Sequence, residues 1–200
     1  MAATPTTIFV VHGTCGSASG NWFPWLKSEM ERKGCRVIVP QFPTPEGQSF
    51  AAWRGVFRDS LGDCDPANTI LIGHSIGAPF VMRMAEEAEQ PYRAMILVCP
   101  FAKTLGIAQF DTLNASFVEH DFDWSQVRKG ASMRVCFAAD DDPYVPLALS
   151  QDVAAKMDAT LIVIPKGGHL NADSGYTSFP PLLNTLALAE RTPHPNPTAS

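Results

Sequence analysis

The sequence predicts a single-domain α/β fold built on a parallel sheet of about six strands. Three observations point there. Six short β-branched runs recur along the chain, apolar at nearly every position. Strands buried on both faces read this way, as in a parallel sheet. Helical stretches separate most of the runs, and such alternation places helices on both faces of a sheet. The 200 residues, 46% hydrophobic and 18% charged, suit one domain. A chain of that size buries roughly 70% of the surface its unfolded form exposes, so its core needs no disulfide or metal staple.

Each element has a local reason. Residues 8–11 form the first run and 36–39 the second. Ser49 is placed to cap a helix carrying Phe50, Trp53, Phe57 and Leu61 at helical spacing, and Gly62 ends it. Residues 69–72 are the third strand. A helix over 76–89 follows, with Val81, Met82 and Ala85 inward and Glu86, Glu87 and Glu89 outward. Residues 94–99, 133–138 and 160–164 complete the strands. Helices over 146–157 and 179–190 each carry a proline near the start. Residues 101–130 show no single period but hold Phe101, Phe110, Phe117, Phe122 and Trp124. They read as one helix plus a loop, or as a small lid over a site. The domain is expected over residues 1–191. Residues 192–200, with Pro193, Pro195 and Pro197, read as a disordered tail.

Charge and cysteine usage exclude several classes. A net charge of −5 and the absence of any Lys/Arg cluster leave no electrostatic footprint for nucleic acid. Cys15, Cys35, Cys64, Cys99 and Cys136 form no CxxC pair, and no zinc-ligand spacing is visible. Cys35, Cys99 and Cys136 lie in or beside apolar runs, where free cysteine acts as a small hydrophobe. No apolar stretch approaches the ~20 residues of a membrane span. The N-terminus has no basic region and no signal-peptide core. A reduced, cytoplasmic protein is the expectation.

The sharpest local signal is Gly73-His74-Ser75-Ile76-Gly77, between a strand and a helix. A G-x-S-x-G motif in that context is a nucleophile elbow: the tight turn lifts the serine above the sheet edge. The glycines let backbone approach where a Cβ would clash. An ordinary helix cap is the plainer reading of a serine there. A serine hydroxyl needs a base. Of five histidines, His74 sits on the serine's own turn, His194 lies in the tail, and His12 ends the first strand. His120 is the rival to His169, which follows the last strand on two glycines. The order serine, acid, histidine selects His169. The acid that fixes the base comes from Asp140-Asp141-Asp142-Pro143, with Asp142 first choice and Asp141 second. An oxyanion hole takes the N–H of Ile76, after the serine, and one from the loop after the first strand. Thr14 is that candidate and Cys15 the fallback.

With these pieces placed, the chain resembles the small α/β-hydrolases grouped with the retinoblastoma-binding protein and YdeN. The resemblance rests on Val11-His12-Gly13, Asn21-Trp22-Phe23-Pro24-Trp25-Leu26 and Gly73-His74-Ser75-Ile76-Gly77-Ala78. Further on it rests on Asp141-Asp142-Pro143-Tyr144-Val145-Pro146, Gly168-His169-Leu170-Asn171 and Gly175-Tyr176-Thr177-Ser178-Phe179-Pro180. It implies an α/β-hydrolase fold, a three-layer sandwich with no large cap domain, and triad roles for Ser75, Asp142 and His169.

The expected activity is that of a serine hydrolase, foremost a carboxylesterase on small esters, with no metal or organic cofactor required. A non-catalytic protein- or ligand-binding module on the same scaffold stays open as the alternative, since fold does not fix function. The expected partner is a small-molecule ester, and the expected state a monomer or small homo-oligomer. Trp22 is the candidate substrate-binding aromatic, with Trp25, Phe101, Phe110 and Trp124 behind it. So short a chain predicts a trimmed hydrolase with an open site.

Overall fold

The structure, a computed structural model, describes residues 5–191. The predicted tail, residues 192–200, lies outside them. β1 (Thr7–Val11) is buried at every position. Ile8 and Val10 pack on one face of the sheet, Phe9 and Val11 on the other. α1 (Phe23–Glu31) and β2 (Arg36–Ile38) follow. α1 has no counterpart in the sequence reading. Its buried face is only Phe23, Leu26 and Met30, and no side chain caps its start. So short a helix leaves little periodic signal, though Pro24 in its first turn suits a helix start.

α2 (Phe50–Leu61) is capped as expected. Ser49 accepts a hydrogen bond from the Ala52 N–H, and Gly62 leaves the helix at φ +56°. β3 (Thr69–His74) runs two residues further than its apolar core and ends beside Ser75. α3 (Gly77–Glu86) then crosses to β4 (Tyr92–Val98). The connection that showed no single period holds two helices, α4 (Ala108–Val118) and α5 (Trp124–Lys129). Asp123 caps the second by accepting from the N–H groups of Ser125 and Gln126. β5 (Ala131–Ala139), α6 (Leu147–Met157), β6 (Thr160–Ile164) and α7 (Pro180–Arg191) complete the chain.

The strand order is β2-β1-β3-β4-β5-β6, and every neighbouring pair is parallel. α2 to α6 pack on one face of the sheet; α1 and α7 cover the other. The α/β-hydrolase architecture is therefore present, and the described residues hold no large cap domain. One expectation fails at the sheet edge. β6 is not buried on both faces: Thr160 and Val163 are exposed, because an edge strand has only one neighbour and incomplete helix cover. The topology also fixes where a site forms. The chain passes from β1 to β2 on one side, then returns to β3 on the other. The loops leaving the carboxyl ends of β1 and β3 diverge there, opening the crevice where open α/β sheets bind ligands.

Candidate active site

Ser75 sits at that crevice, between the last residue of β3 and the first of α3. Its φ is +57°, the left-handed region that L-residues other than glycine seldom enter. The turn is locked on both sides: the Ser75 N–H donates to Val98 O at 2.9 Å, and the Ala78 N–H donates to Ser75 O at 2.9 Å. Both flanking glycines are required by space. A Cβ on Gly73 would lie 2.3 Å from Gly77 O, and one on Gly77 would lie 2.5 Å from Val11 O. These contacts press β3, α3 and the end of β1 together beneath the serine. A plain helix cap needs no such packing.

His169 lies in a loop where Lys166, Gly168 and Leu170 all have positive φ. Three adjacent aspartates hold that loop in register. Asp140 accepts from the Lys166 N–H at 2.7 Å, and Asp141 from the Gly168 N–H at 2.7 Å. Asp142 Oδ2 lies 2.8 Å from His169 Nδ1. Asp142 Oδ1 meanwhile accepts from the N–H groups of Tyr144 and Val145. Asp142, not Asp141, thus faces the ring, because Asp141 is committed to backbone. Burial raises the affinity of the Asp142 carboxyl for a proton, but His169 and the two backbone donors outweigh it and hold the pKa below its ordinary value.

The other histidines are accounted for. His74 Nε2 donates to the His169 carbonyl oxygen at 2.9 Å and ties the elbow to the histidine loop. Burial, reinforced by the neighbouring His169, pushes the His74 pKa down to about 3, so it stays neutral. His12 is fully buried, and burial lowers its pKa too. Its Nε2 accepts from the Phe42 N–H at 3.0 Å. His120, the rival base, pairs with Glu86 at 2.7 Å. His194 is outside the described residues. Among these residues one cluster has metal-ligand composition: His74, Cys99 and His169. Two of its ring nitrogens are committed, while His74 Nδ1 is buried without a partner. His74 Nε2 carries the proton given to His169 O, His169 Nδ1 faces Asp142, and burial beside Asp142 pushes the Cys99 thiol well up.

Ser75 and His169 open onto a cavity of about 280 Å³, which Thr14, Phe110, Asn114 and Tyr144 also line. Thr14 is thus at the cavity, while the Cys15 N–H is taken by Thr44 Oγ1 at 2.7 Å. Ile76 follows the serine with its side chain fully buried. Trp22 is corrected. It is fully buried, packed on Phe23 and Phe179, and its Nε1–H donates to Leu170 O at 3.0 Å. An indole so enclosed supports the loop next to His169 and touches no ligand. Phe101 is likewise core; Trp124 packs against the cluster on its face of the sheet and Trp25 against the cluster on the other, and Phe110 alone of that group reaches the cavity. Tyr144 and Asn114 were not singled out from sequence. Tyr144 carried a signal, two residues after Asp142, and its ring lies edge-on to His169 at 5.0 Å. Asn114 carried none, being one polar residue in a stretch without a period.

A left-handed serine between strand and helix, at the switch point of a parallel sheet, defines an α/β-hydrolase. Sequence comparison specifies the family. The profile described as "Serine hydrolase" matches residues 8–188, and the chain belongs to that family. It is similar to YdeN of Bacillus subtilis (strain 168), 30% identical over 184 residues, covering 90% of this chain and 93% of that protein. It is also similar to the serine hydrolase RBBP9 of Rattus norvegicus, 30% identical over 170 residues, covering 84% of this chain and 88% of that one. The crystal structure of the ydeN gene product of B. subtilis superposes with a TM-score of 0.86 at 28% identity, covering 94% of this chain and all (100%) of that one. No helix among the described residues is long and apolar enough to cross a membrane.

Proposed function

We propose that this serine hydrolase is a carboxylesterase acting on small or short-acyl esters through an acyl-enzyme on Ser75. One observation carries the reading. A serine on a strained elbow shares a cavity with a histidine whose Nδ1 is fixed 2.8 Å from a buried aspartate. Asp142 on Nδ1 leaves His169 Nε2 to take the Ser75 proton as the hydroxyl attacks the ester carbonyl. The N–H groups of Ile76 and Thr14 receive the oxyanion, helped by the positive end of α3; one such donor is typically worth ~10² to 10³ in turnover. His169 then protonates the departing alcohol, and water, activated by the same ring, releases the acid.

The cavity volume of about 280 Å³ supports small substrates. The free thiols fit a reducing compartment such as the cytoplasm. The test is fluorophosphonate labelling of the folded protein, with peptide mapping and a p-nitrophenyl ester series of rising chain length. Label on Ser75, and turnover that declines with acyl length, are expected. No label on a protein that is folded, beside a labelled control hydrolase, refutes the reading.

A further inference from the structure

The geometry points to Asn114 as the specificity-determining donor of this site, selecting esters that carry a second, uncharged hydrogen-bond acceptor such as a keto, amide or ether oxygen. This inference rests on the esterase reading and adds the substrate class.

The orientation of the Asn114 amide is fixed by its neighbours. The chain of hydrogen bonds begins at the Cys15 N–H, which can only donate, and it donates to Thr44 Oγ1 at 2.7 Å. The Thr44 hydroxyl donates onward to Gln48 Oε1 at 2.5 Å. That turns Gln48 Nε2 the other way, where it donates to the Leu113 carbonyl at 3.0 Å, a group that can only accept. The same Nε2 lies 3.0 Å from Asn114 Oδ1, and the Thr14 hydroxyl donates to that oxygen at 2.6 Å. The Leu113 carbonyl can only accept, which places Gln48 Nε2 on that side, and an Asn114 NH₂ there would set two donors 3.0 Å apart, so the Asn114 oxygen faces Gln48 and Thr14. Its Nδ2 faces away from them and donates to no described residue.

Asn114 is only 4% exposed, yet it lines the cavity beside Ser75. Its Nδ2 has no partner among the described residues and is not sealed off, and the cavity is the surface that Asn114 lines. A buried amide with two idle N–H groups costs stability unless a ligand or water accepts from them. Two other cavity residues repeat the arrangement. Asn21 Oδ1 accepts from the Ala172 N–H at 3.0 Å, and Asn171 Oδ1 accepts from the Ser174 N–H at 3.0 Å. Backbone donors fix both oxygens, and neither NH₂ group has a hydrogen-bond partner among the described residues. The lining thus offers donors, with Leu105, Phe110 and Tyr144 as its apolar part. It contains no Lys or Arg, and it does contain Asp173. An anionic acceptor meets no counter-charge there, so an uncharged oxygen is the matching group.

The experiment compares p-nitrophenyl 4-oxopentanoate with p-nitrophenyl pentanoate, which have equal chain length and differ by one keto oxygen. Each kcat/KM is divided by its uncatalysed hydrolysis rate. The wild type is expected to prefer the keto ester ~10-fold, chiefly through KM, since the keto oxygen is unchanged between ground and transition state. Asn114→Asp keeps an oxygen for Gln48 and Thr14 but removes the donor, and is expected to abolish the preference. A wild-type ratio near one overturns the proposal without any variant. So does a preference that survives in Asn114→Asp. Fluorophosphonate labelling of Ser75 separates the two levels: label with a ratio near one removes only the donor role, whereas no label removes the esterase reading and this inference with it.

Discussion

The two walls of the cavity are built differently. One wall is the sheet edge: Ser75 after β3 and His169 after β6, with Asp142, after β5, behind the histidine. There the backbone is forced into left-handed turns at Ser75, Lys166, Gly168 and Leu170, and hydrogen bonds accepted by Asp140, Asp141 and Asp142 hold the loop. The other wall is the β4–β5 connection, supplying Leu105, Phe110 and Asn114. It is held chiefly by side chains: Asn114 to Gln48 and Thr14, Gln48 to the Leu113 carbonyl, Asp111 accepting from the Leu105 and Gly106 N–H groups, Arg83 to the Ser116 carbonyl, and Ser116 Oγ accepting from the Phe50 N–H. Reaction geometry must be held within a few tenths of an ångström, and strained loops on a rigid sheet supply that. Selection among substrates needs only a surface of the right polarity, which a helical connection can carry and exchange. Changes at the first wall should therefore appear in kcat, and changes at the second in KM.

The largest expected effect follows directly. Ser75→Ala removes the proposed nucleophile, and turnover should fall ~10⁶-fold while the unfolding midpoint stays in place. Single-turnover kinetics beside thermal melting check both halves. Asp142→Asn comes next. The amide oxygen can still accept from Tyr144 and Val145, so the turn survives, but His169 loses its orienting charge. A loss of ~10⁴ in kcat with little change in KM is expected. An equal loss shared between kcat and KM would erase the distinction between the walls.

The same division governs what the sequence reveals. Ser75 is legible because an elbow demands glycines at 73 and 77, and the demand is steric: backbone oxygens occupy the space of the missing side chains. His169 is legible from its place after the last strand, and α2 from Ser49 and Gly62. These signals are local or follow from chain order. Asn114 acts through Gln48 and Thr14, far away in sequence, and nothing in its own neighbourhood announces that. α1 was missed because three buried positions make too short a pattern. Trp22 misled for a related reason. A tryptophan near a site motif looks the same in sequence whether its ring faces ligand or core, and only the Leu170 carbonyl bond tells them apart.

A smaller effect concerns pH and the first wall alone. His74 is neutral in the fold, with its pKa pushed down to about 3 from 6.5. Below pH 6.5 the unfolded chain therefore binds a proton that the folded chain refuses. Stability must fall as pH drops from there toward the folded value, by about 2 kcal/mol between pH 6.5 and 5 from this residue. His12, lowered in the same direction, adds to the slope, while Asp142 contributes only below the carboxylate range. Gln in place of His74 keeps a donor for the His169 carbonyl without titrating. In urea unfolding at pH 7 and pH 5, His74→Gln should lose less stability between the two than the wild type, by about 2 kcal/mol. Equal losses would mean that the buried imidazole is not what makes the sheet-edge wall acid-sensitive.

The smallest effect tests the border between wall and core. Trp22→Phe keeps an aromatic ring against Phe23 and Phe179 but removes the Nε1–H that holds the Leu170 carbonyl. The lost bond and lost volume should lower stability by about 1–2 kcal/mol. KM for short esters should not move, because the ring is fully buried beneath the loop. Leu170 adjoins His169, so any kinetic change belongs in kcat, through a histidine held less firmly. A raised KM at unchanged stability would return Trp22 to the cavity and show that the core reaches further into substrate selection than its burial implies.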